Sequence, residues 1–509
     1  MCGIAICYDL TGNPTAAPGR GQAAVARMME RLRHRGPDGS GLVEHGRAVL
    51  GQTRLAVVDV AGGRQPLTDP QARLFAVGNG EIYNQAALRR RFAGCFRFQT
   101  RSDTEVLLPA YEQLGWEGVR TLDGMFSYAL SDGRQLCAAR DPLGIKPLYY
   151  GRCNGNLLFA SEIGALAGEV EEVAEFPPGH CYTPEGGLRP YYQVPQRAGV
   201  LTEPERAKRL VREALIEAVH SHLMADVPVG AFLSGGLDSS LLALLARREV
   251  EELHTFAVGM EGSSDLAAAA RVAACIGSHH HVCELTPVMM AEAIEPVVTA
   301  LESYDAALVR SAVPTWFVAR LAARTRTTAG ARIKVVLTGE GADELFAGYE
   351  YLQTFRGRQL EVELNRLLAS LHNLNLQRVD RMTMAHALEA RVPFLSTTVV
   401  ERIMTIHPVL KETAAFGQAK GLLRAAFEGE LPPDILWRRK EEFAQGASVS
   451  ACLGALAAER VSAREWSQAR RDRLPVASRE ELFYYRILQQ HIRTPLRAGT
   501  IGRWRGPVL

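Results

Sequence analysis

One stretch constrains this chain of 509 residues more than any other: an apolar strand, a glycine turn and an apolar helix in direct succession. Val229–Leu233 reads as the strand. Ser234-Gly235-Gly236-Leu237-Asp238-Ser239-Ser240 is the turn, and Ser240–Arg248 is the helix. His254–Val258 and the buried Ile333–Leu337 read as further strands. Strands alternating with helices build a parallel sheet covered on both faces. Ligands bind such sheets beyond the carboxyl ends of the strands, so the glycine turn marks a candidate site. An amphipathic helix, Glu205–Met224, precedes it, with Leu210, Val211, Leu215 and Val219 along one side. After about Glu350 the chain reads mostly helical.

Upstream the texture is different. Gly41–Val60 carries two β-branched runs around a glycine-bearing turn. Leu74–Val77, Met125–Leu130, Gln135–Ala139 and Leu157–Ala160 add short strands. Helices are expected at Gln22–Leu32 and Asp103–Leu114. Many short strands with few helices predict an α+β sandwich. Tyr192–Glu205 holds two prolines and no periodicity, so a boundary is expected there. The expected domains are 1–195 and 205–509.

Composition excludes several classes of function. Lys plus Arg is 58 and Asp plus Glu is 56, a net charge of +2. That balance gives no global field for a phosphate backbone, so no nucleic-acid partner is expected. No run of about 18 apolar residues exists, so no membrane partner is expected either. The nine cysteines are odd in number and form no CxxC, which predicts neither a disulfide framework nor a zinc knuckle. MCGIAICYDL lacks a basic n-region and a long apolar core, so the reading is no signal peptide and a cytoplasmic location. His279-His280-His281 would alternate between faces of a strand and is not read as a metal site.

Catalytic chemistry is suggested at the start of the chain. Removal of Met1 would leave the Cys2 thiol beside a free α-amine of near-neutral pKa, which can take the thiol proton. Arg54 is a lone cation in a strand and needs an anionic partner. Asn79-Gly80 sets a side-chain amide next to a flexible backbone N–H, a pair able to form an oxyanion hole. Asp103 reads as a helix N-cap or as an anchor for a substrate ammonium.

MCGI, RHRGPDGSG, NGEIYN, SDTE and RDPLGIKPLYY resemble the N-terminal-nucleophile glutaminase domain of class II amidotransferases. The resemblance implies that Cys2 attacks the side-chain amide of glutamine and carries the general base. It implies an oxyanion hole of Asn79 and Gly80. It gives Arg54 to the glutamine carboxylate, Glu81 and Asp103 to its amino group, and the backbone of Val57 and Val58 to the amide pocket. Gln52 stands where many relatives have His, at a position that does not touch substrate in the family.

In the second half, the 234–240 turn lacks the Lys of a Walker A loop. Its glycines and helix N-terminus still suit phosphate. Glu340 and Asp343 follow the strand Ile333–Leu337 and suit Mg²⁺ and ammonium chemistry. Lys440 ends a run of three cations between apolar Ile435–Trp437 and Phe443, which fits a phosphate-facing lysine.

SGGLDSS resembles the pyrophosphate loop of the ATP pyrophosphatases. Together with SHLMADVPVGAF, LHTFAVGM, ESYDAALVRSAVP, LTGEGADELFAGY, DRMTMAHALEARVPFL and WRRKEEF it resembles the glutamine-hydrolysing asparagine synthetases over nearly the whole chain. The implied fold is an N-terminal-nucleophile sandwich followed by an α/β parallel sheet with a helical end. The implied substrates are glutamine, ATP with Mg²⁺, and aspartate. Leu233, Ser234, Gly235, Gly236, Ser239, Val258, Thr338 and Gly339 would contact ATP. Asp238 and Asp343 would serve the pyrophosphate and Mg²⁺, and Lys440 the departing pyrophosphate. Glu340 would support the acyl-adenylate and deprotonate ammonia, and Arg310 would face the acceptor.

Ala307 and Leu308 replace two threonines of one subgroup, and Ser396 stands where relatives often have Asp. These departures keep open a second reading, the same chemistry on another carboxylate. A phosphoribosyl or sugar-phosphate amidotransferase would share the first domain but not SGGLDSS. A tRNA-modifying enzyme would need a basic appended domain. Monomer and homodimer both remain open.

Overall fold

The structure is a computed structural model that describes residues 2–12, 20–195, 199–438, 444–504 and 506, with the side chains of 20 and 444–449 left aside. Lys440 and the rest of 439–443 lie outside the described residues.

The N-terminal half forms two stacked six-stranded sheets. Their strands are β1 (Cys2–Asp9), β2 (Gly39–His45), β3 (Ala48–Arg54), β4 (Leu67–Thr68), β5 (Phe75–Ile82), β6 (Gly124–Ser131), β7 (Leu136–Arg140), β8 (Tyr149–Cys153), β9 (Asn156–Ala160), β10 (Ala174–Glu175), β11 (His180–Thr183) and β12 (Gly187–Pro190). The first sheet runs β10-β8-β9-β1-β3-β2 and the second β12-β11-β7-β6-β5-β4. The pairings within each are antiparallel. Ile4, Ile6, Leu50, Val77, Ala129 and Phe159 fill the space between the sheets. A helix, Arg20–Arg31, covers the outer face of the first sheet with Val25 and Met28. Leu88, Phe92, Leu107 and Leu108 cover the second. β1 and β3 are buried on both faces, so Gly3–Cys7 and Ala48–Leu50 carry apolar residues without alternation, and the polar end of β3, Gln52–Arg54, is buried through hydrogen bonds. Asp103–Leu114 is one turn of 3₁₀ helix (Asp103–Val106) followed by an α-helix from Leu107. Pro109, which cannot donate, sits in the first α-turn, where donors are spare.

The C-terminal half holds five parallel strands: β13 (Val229–Phe232), β14 (His254–Met260), β15 (His279–Leu285), β16 (Val335–Leu337) and β17 (Glu389–Arg391), in the order β15-β14-β13-β16-β17. β17 interrupts a region that the sequence reads as helical. Its Glu389 and Arg391 are buried by pairing with each other, so no apolar alternation announces the strand. Register aligns Ala231 with Leu337 and Phe232 with Phe256. The turns after β13 and β16 therefore emerge side by side at the carboxyl edge. β15 sends His280 to Thr255 and His281 to His254, onto different partners.

Candidate functional site

Cys2 opens β1 opposite Arg54 at the end of β3. Its main-chain N–H donates to Asn79 Oδ1 at 3.0 Å. The other end of that amide, Asn79 Nδ2, is buried with no hydrogen-bond partner among the described residues. A buried, unpaired donor costs about 1–3 kcal/mol. One kept beside a buried thiol is placed to receive an oxygen that arrives with a ligand. Gly80 has φ +140, and a Cβ there would lie 1.9 Å from the Met125 carbonyl oxygen, so the position admits only glycine. Burial raises the Cys2 thiol above its ordinary pKa. Thiolate formation therefore needs a local proton acceptor.

Glu81 and Asp103 lie close together and buried. Asp103 Oδ2 accepts from the Ile82 N–H at 2.7 Å. Burial raises the Asp103 carboxyl, and burial with Asp103 nearby raises Glu81 well above the usual carboxylate range. Arg391 approaches Glu81 Oε2 only to 3.7 Å. Two buried carboxylates short of positive charge suit an incoming ammonium.

Arg54 is already engaged. Its guanidinium donates to the carbonyls of Val60 at 3.0 Å, Val58 at 3.2 Å and Asp59 at 2.7 Å. It thus frames the 57–60 turn, and a substrate carboxylate would share it with these oxygens. The Val57 carbonyl accepts from the N–H of Asp226, across the boundary between the two halves, at 2.9 Å. Gln52 Nε2 donates to Gly78 O at 2.7 Å and ties β3 to β5, a structural task.

A second cluster sits at the carboxyl edge of the parallel sheet. Leu233 N–H bonds Phe256 O at the end of β13. Gly235 takes φ +72 where a Cβ would meet the Ala269 nitrogen at 2.6 Å. Ser239 accepts from the Ser234 N–H at 3.2 Å, and Ser240 Oγ donates to Gly236 O at 2.7 Å, which pins the turn to its helix. Val258 lies inside β14, two residues before its carboxyl end, paired with Cys283, and Thr338 N–H bonds Arg391 O at 2.9 Å. Gly339 packs on Asp238, where a Cβ would come within 2.9 Å of the Asp238 Cβ.

Lys420, which no sequence pattern singled out, bridges the two acids of this edge. Its Nζ lies 2.5 Å from Asp238 Oδ2 and 2.8 Å from Asp343 Oδ1. Burial opposes its charge, but the two carboxylates outweigh burial and raise its pKa. Two carboxylates within reach of one cation, beside a phosphate-type turn, fit a divalent ion completed by phosphate and water oxygens. Among the described residues no three or more His, Cys, Asp or Glu side chains converge on one point.

Glu340 forms an ion pair with Arg378. Arg310, expected to face an acceptor, is held in a two-point pair by Glu480 of the Arg479–His491 helix. The Tyr349 hydroxyl donates to Glu344 at 2.5 Å, with Asn375 at 3.4 Å. Burial, then the nearby Asp343, raises the Glu344 carboxyl to about 7. Between the ordinary 4.5 and that value the native state holds a proton that the unfolded chain has lost, so stability falls as pH rises through this window. The loss amounts to roughly 3 kcal/mol by pH 8. Glu344→Gln is therefore expected to gain stability over wild type between pH 5 and pH 8. Denaturant midpoints at both pH values measure it. An equal gap at the two pH values would mean that Glu344 titrates normally.

The clusters are joined through buried charges. Arg35 donates to the Cys2 carbonyl at 3.1 Å and to Asp380 at 2.9 Å, on the helix Asn375–Met384 that also carries Arg378. Arg391 faces Glu81 with its side chain and Thr338 with its carbonyl. Both arginines are fully buried. Breaking such a pair typically costs about 3–5 kcal/mol, so the seam holds the halves in one register.

Comparison with known proteins gives the same two-part picture. A glutamine amidotransferase domain model matches residues 1–178, and an asparagine synthase model matches 210–362 and 353–505. Asparagine synthetase [glutamine-hydrolyzing] 3 of Arabidopsis thaliana is 39% identical over 471 residues, covering 88% of this chain and 80% of that one. Asparagine synthetase B of Escherichia coli K12 is 37% identical over 515 residues, covering 96% and 91%. A probable asparagine synthetase of Schizosaccharomyces pombe is 36% identical over 545 residues, covering 99% and 96%.

Proposed function

Since the chain belongs to the glutamine-hydrolysing asparagine synthetase family, we propose how its own residues divide the reaction. The protein is an ATP-dependent carbon–nitrogen ligase that moves the amide nitrogen of glutamine onto an activated aspartyl group to give asparagine.

Removal of Met1 turns the Cys2 nitrogen, which bonds Asn79 Oδ1, into the amine that takes the thiol proton. The sulfur bonds the amide carbon of glutamine, and the carbon–nitrogen bond breaks as the proton passes to the leaving ammonia. Water then cleaves the thioester to glutamate. Asn79 Nδ2 and the Gly80 N–H hold the oxyanion in both steps. Glu81 and Asp103 take the glutamine ammonium, and Arg54, with the backbone of Val57 and Val58, takes the other end.

At the second site the acceptor carboxylate attacks the α-phosphorus of ATP, and the bond to the β-phosphate breaks. Leu233, Val258, Thr338 and Gly339 receive the nucleotide. The turn of Ser234, Gly235, Gly236 and Ser239 holds phosphate oxygens, and Lys420 and Lys440 stabilise the departing pyrophosphate. Mg²⁺ bound by Asp238 and Asp343 would add charge neutralisation there. Ammonia attacks the acyl carbon, AMP leaves, and Glu340 receives the proton of the incoming ammonium.

The single observation that carries this reading is the unpaired Asn79 donor beside Cys2, linked through Arg35 and Asp380 to the helix that pairs with Glu340. Nucleotide chromatography after turnover tests it. AMP and pyrophosphate are expected. ADP and orthophosphate as primary products would refute the assignment of the 234–240 turn. A second reading, another carboxylate as acceptor, is favoured by Ala307 and Leu308 and by the engagement of Arg310 with Glu480. A panel of carboxylic acids in the same assay separates the two. No helix among the described residues is long and apolar enough to cross a membrane.

A further inference from the structure

A segment far along the chain crosses from the first half to the acceptor side of the second site. It is tied down on the first half where the Arg497 N–H bonds Val173 O at 2.8 Å and the Val173 N–H bonds Pro495 O at 2.9 Å. Thr500, 2% exposed, follows. Gly502 then passes so close to the chain at Asn373 that a Cβ would lie 2.1 Å from the Asn373 carbonyl oxygen. Arg503 lies over the ring of Tyr304 at 4.8 Å and donates to Glu481 at 2.5 Å. The Trp504 N–H donates to Asp305 Oδ2 at 2.9 Å, and Asp305 caps the helix Ala306–Arg324 that bears Arg310. The Trp504 ring rests 6.2 Å from that of Tyr349.

Tyr349 is the residue whose hydroxyl bonds Glu344, and Asn375 of the same group is one helical turn from Arg378, the partner of Glu340. The segment thus spans the start of the Arg310 helix and the Glu340–Tyr349 stretch, the two elements to which the proposed reading assigns the acceptor. Trp504 nevertheless stays 39% exposed. An aromatic face left open beside a buried polar cluster is surface that a bound ligand can cover.

We propose that Gly502–Trp504 is the acceptor-side wall of the ATP-dependent site and that Trp504 positions the acceptor through Tyr349. The proposal rests on the reading of that site as the place of carboxylate activation. Trp504→Ala is expected to raise KM for aspartate about tenfold, the scale of one aromatic contact. KM for ATP, kcat and glutamine hydrolysis should stay within about threefold of wild type, and Trp504→Phe should restore KM for aspartate. An unchanged KM for aspartate would overturn the proposal. So would an equal rise in both KM values together with a lower melting temperature, since that pattern marks a purely structural role. If wild type forms no asparagine, the aspartate reading has failed rather than the wall. The same comparison with the carboxylate that does turn over then decides, and an unchanged KM for that carboxylate overturns the proposal equally.

Discussion

Cys2→Ala is expected to abolish asparagine formation from glutamine and to leave formation from added ammonium near the wild-type rate. The thiol is the only atom lost, and the main-chain N–H that bonds Asn79 is retained, so β1 should keep its place between β3 and β9. Without sulfur there is no thioester route, and loss of a nucleophile costs about 10⁴-fold or more. The ATP-dependent cluster is built from different strands and should not sense the change. Asparagine measured with each nitrogen source decides the matter, and equal loss of both activities would sink the two-site account.

Glu340→Gln is expected to fail in the opposite way. The substitution keeps size and a hydrogen bond toward Arg378 but removes the charge and the base. Loss of a positioned acid–base group typically costs about 10²–10⁴-fold in rate, here with both nitrogen sources. Glutamine hydrolysis at Cys2 should persist. Glutamate and asparagine are followed in parallel. Asparagine made at near wild-type rate would move the role to Glu344, whose carboxyl burial holds at about 7, close to the working range of a general base.

What was legible in the sequence follows from how locally each feature is determined. The β13 strand, its glycine turn and its helix are adjacent in the chain, and the strand and the Leu241–Ala246 stretch of the helix are apolar, so hydrophobic runs and glycine placement suffice to find them. Terminal position points to Cys2 and the Asn-Gly pair to Asn79, and one hydrogen bond across 77 residues joins them. Pairings over longer separations leave no local mark. Lys420 meets Asp238 from 182 residues away, and it lies in a stretch that reads only as mostly helical. Arg310 reads as an available cation until Glu480, 170 residues on, is seen to hold it. Arg35 belongs to a charged turn of no evident local purpose, which its bonds to Cys2 and to Asp380, 345 residues on, explain. β17 is hidden for a different reason: Glu389 and Arg391, only two residues apart, are buried as a charge pair and not by apolar character, so no apolar alternation marks the strand.

The central claim is that nitrogen released at Cys2 is the nitrogen fixed at the parallel sheet. Turnover with ATP, Mg²⁺, aspartate and glutamine labelled with ¹⁵N in its amide, followed by mass spectrometry, tests it directly. The account predicts asparagine carrying the label in its side-chain amide, with one AMP formed for each. Glutamate and labelled ammonium released into solution, with no labelled asparagine, would contradict it.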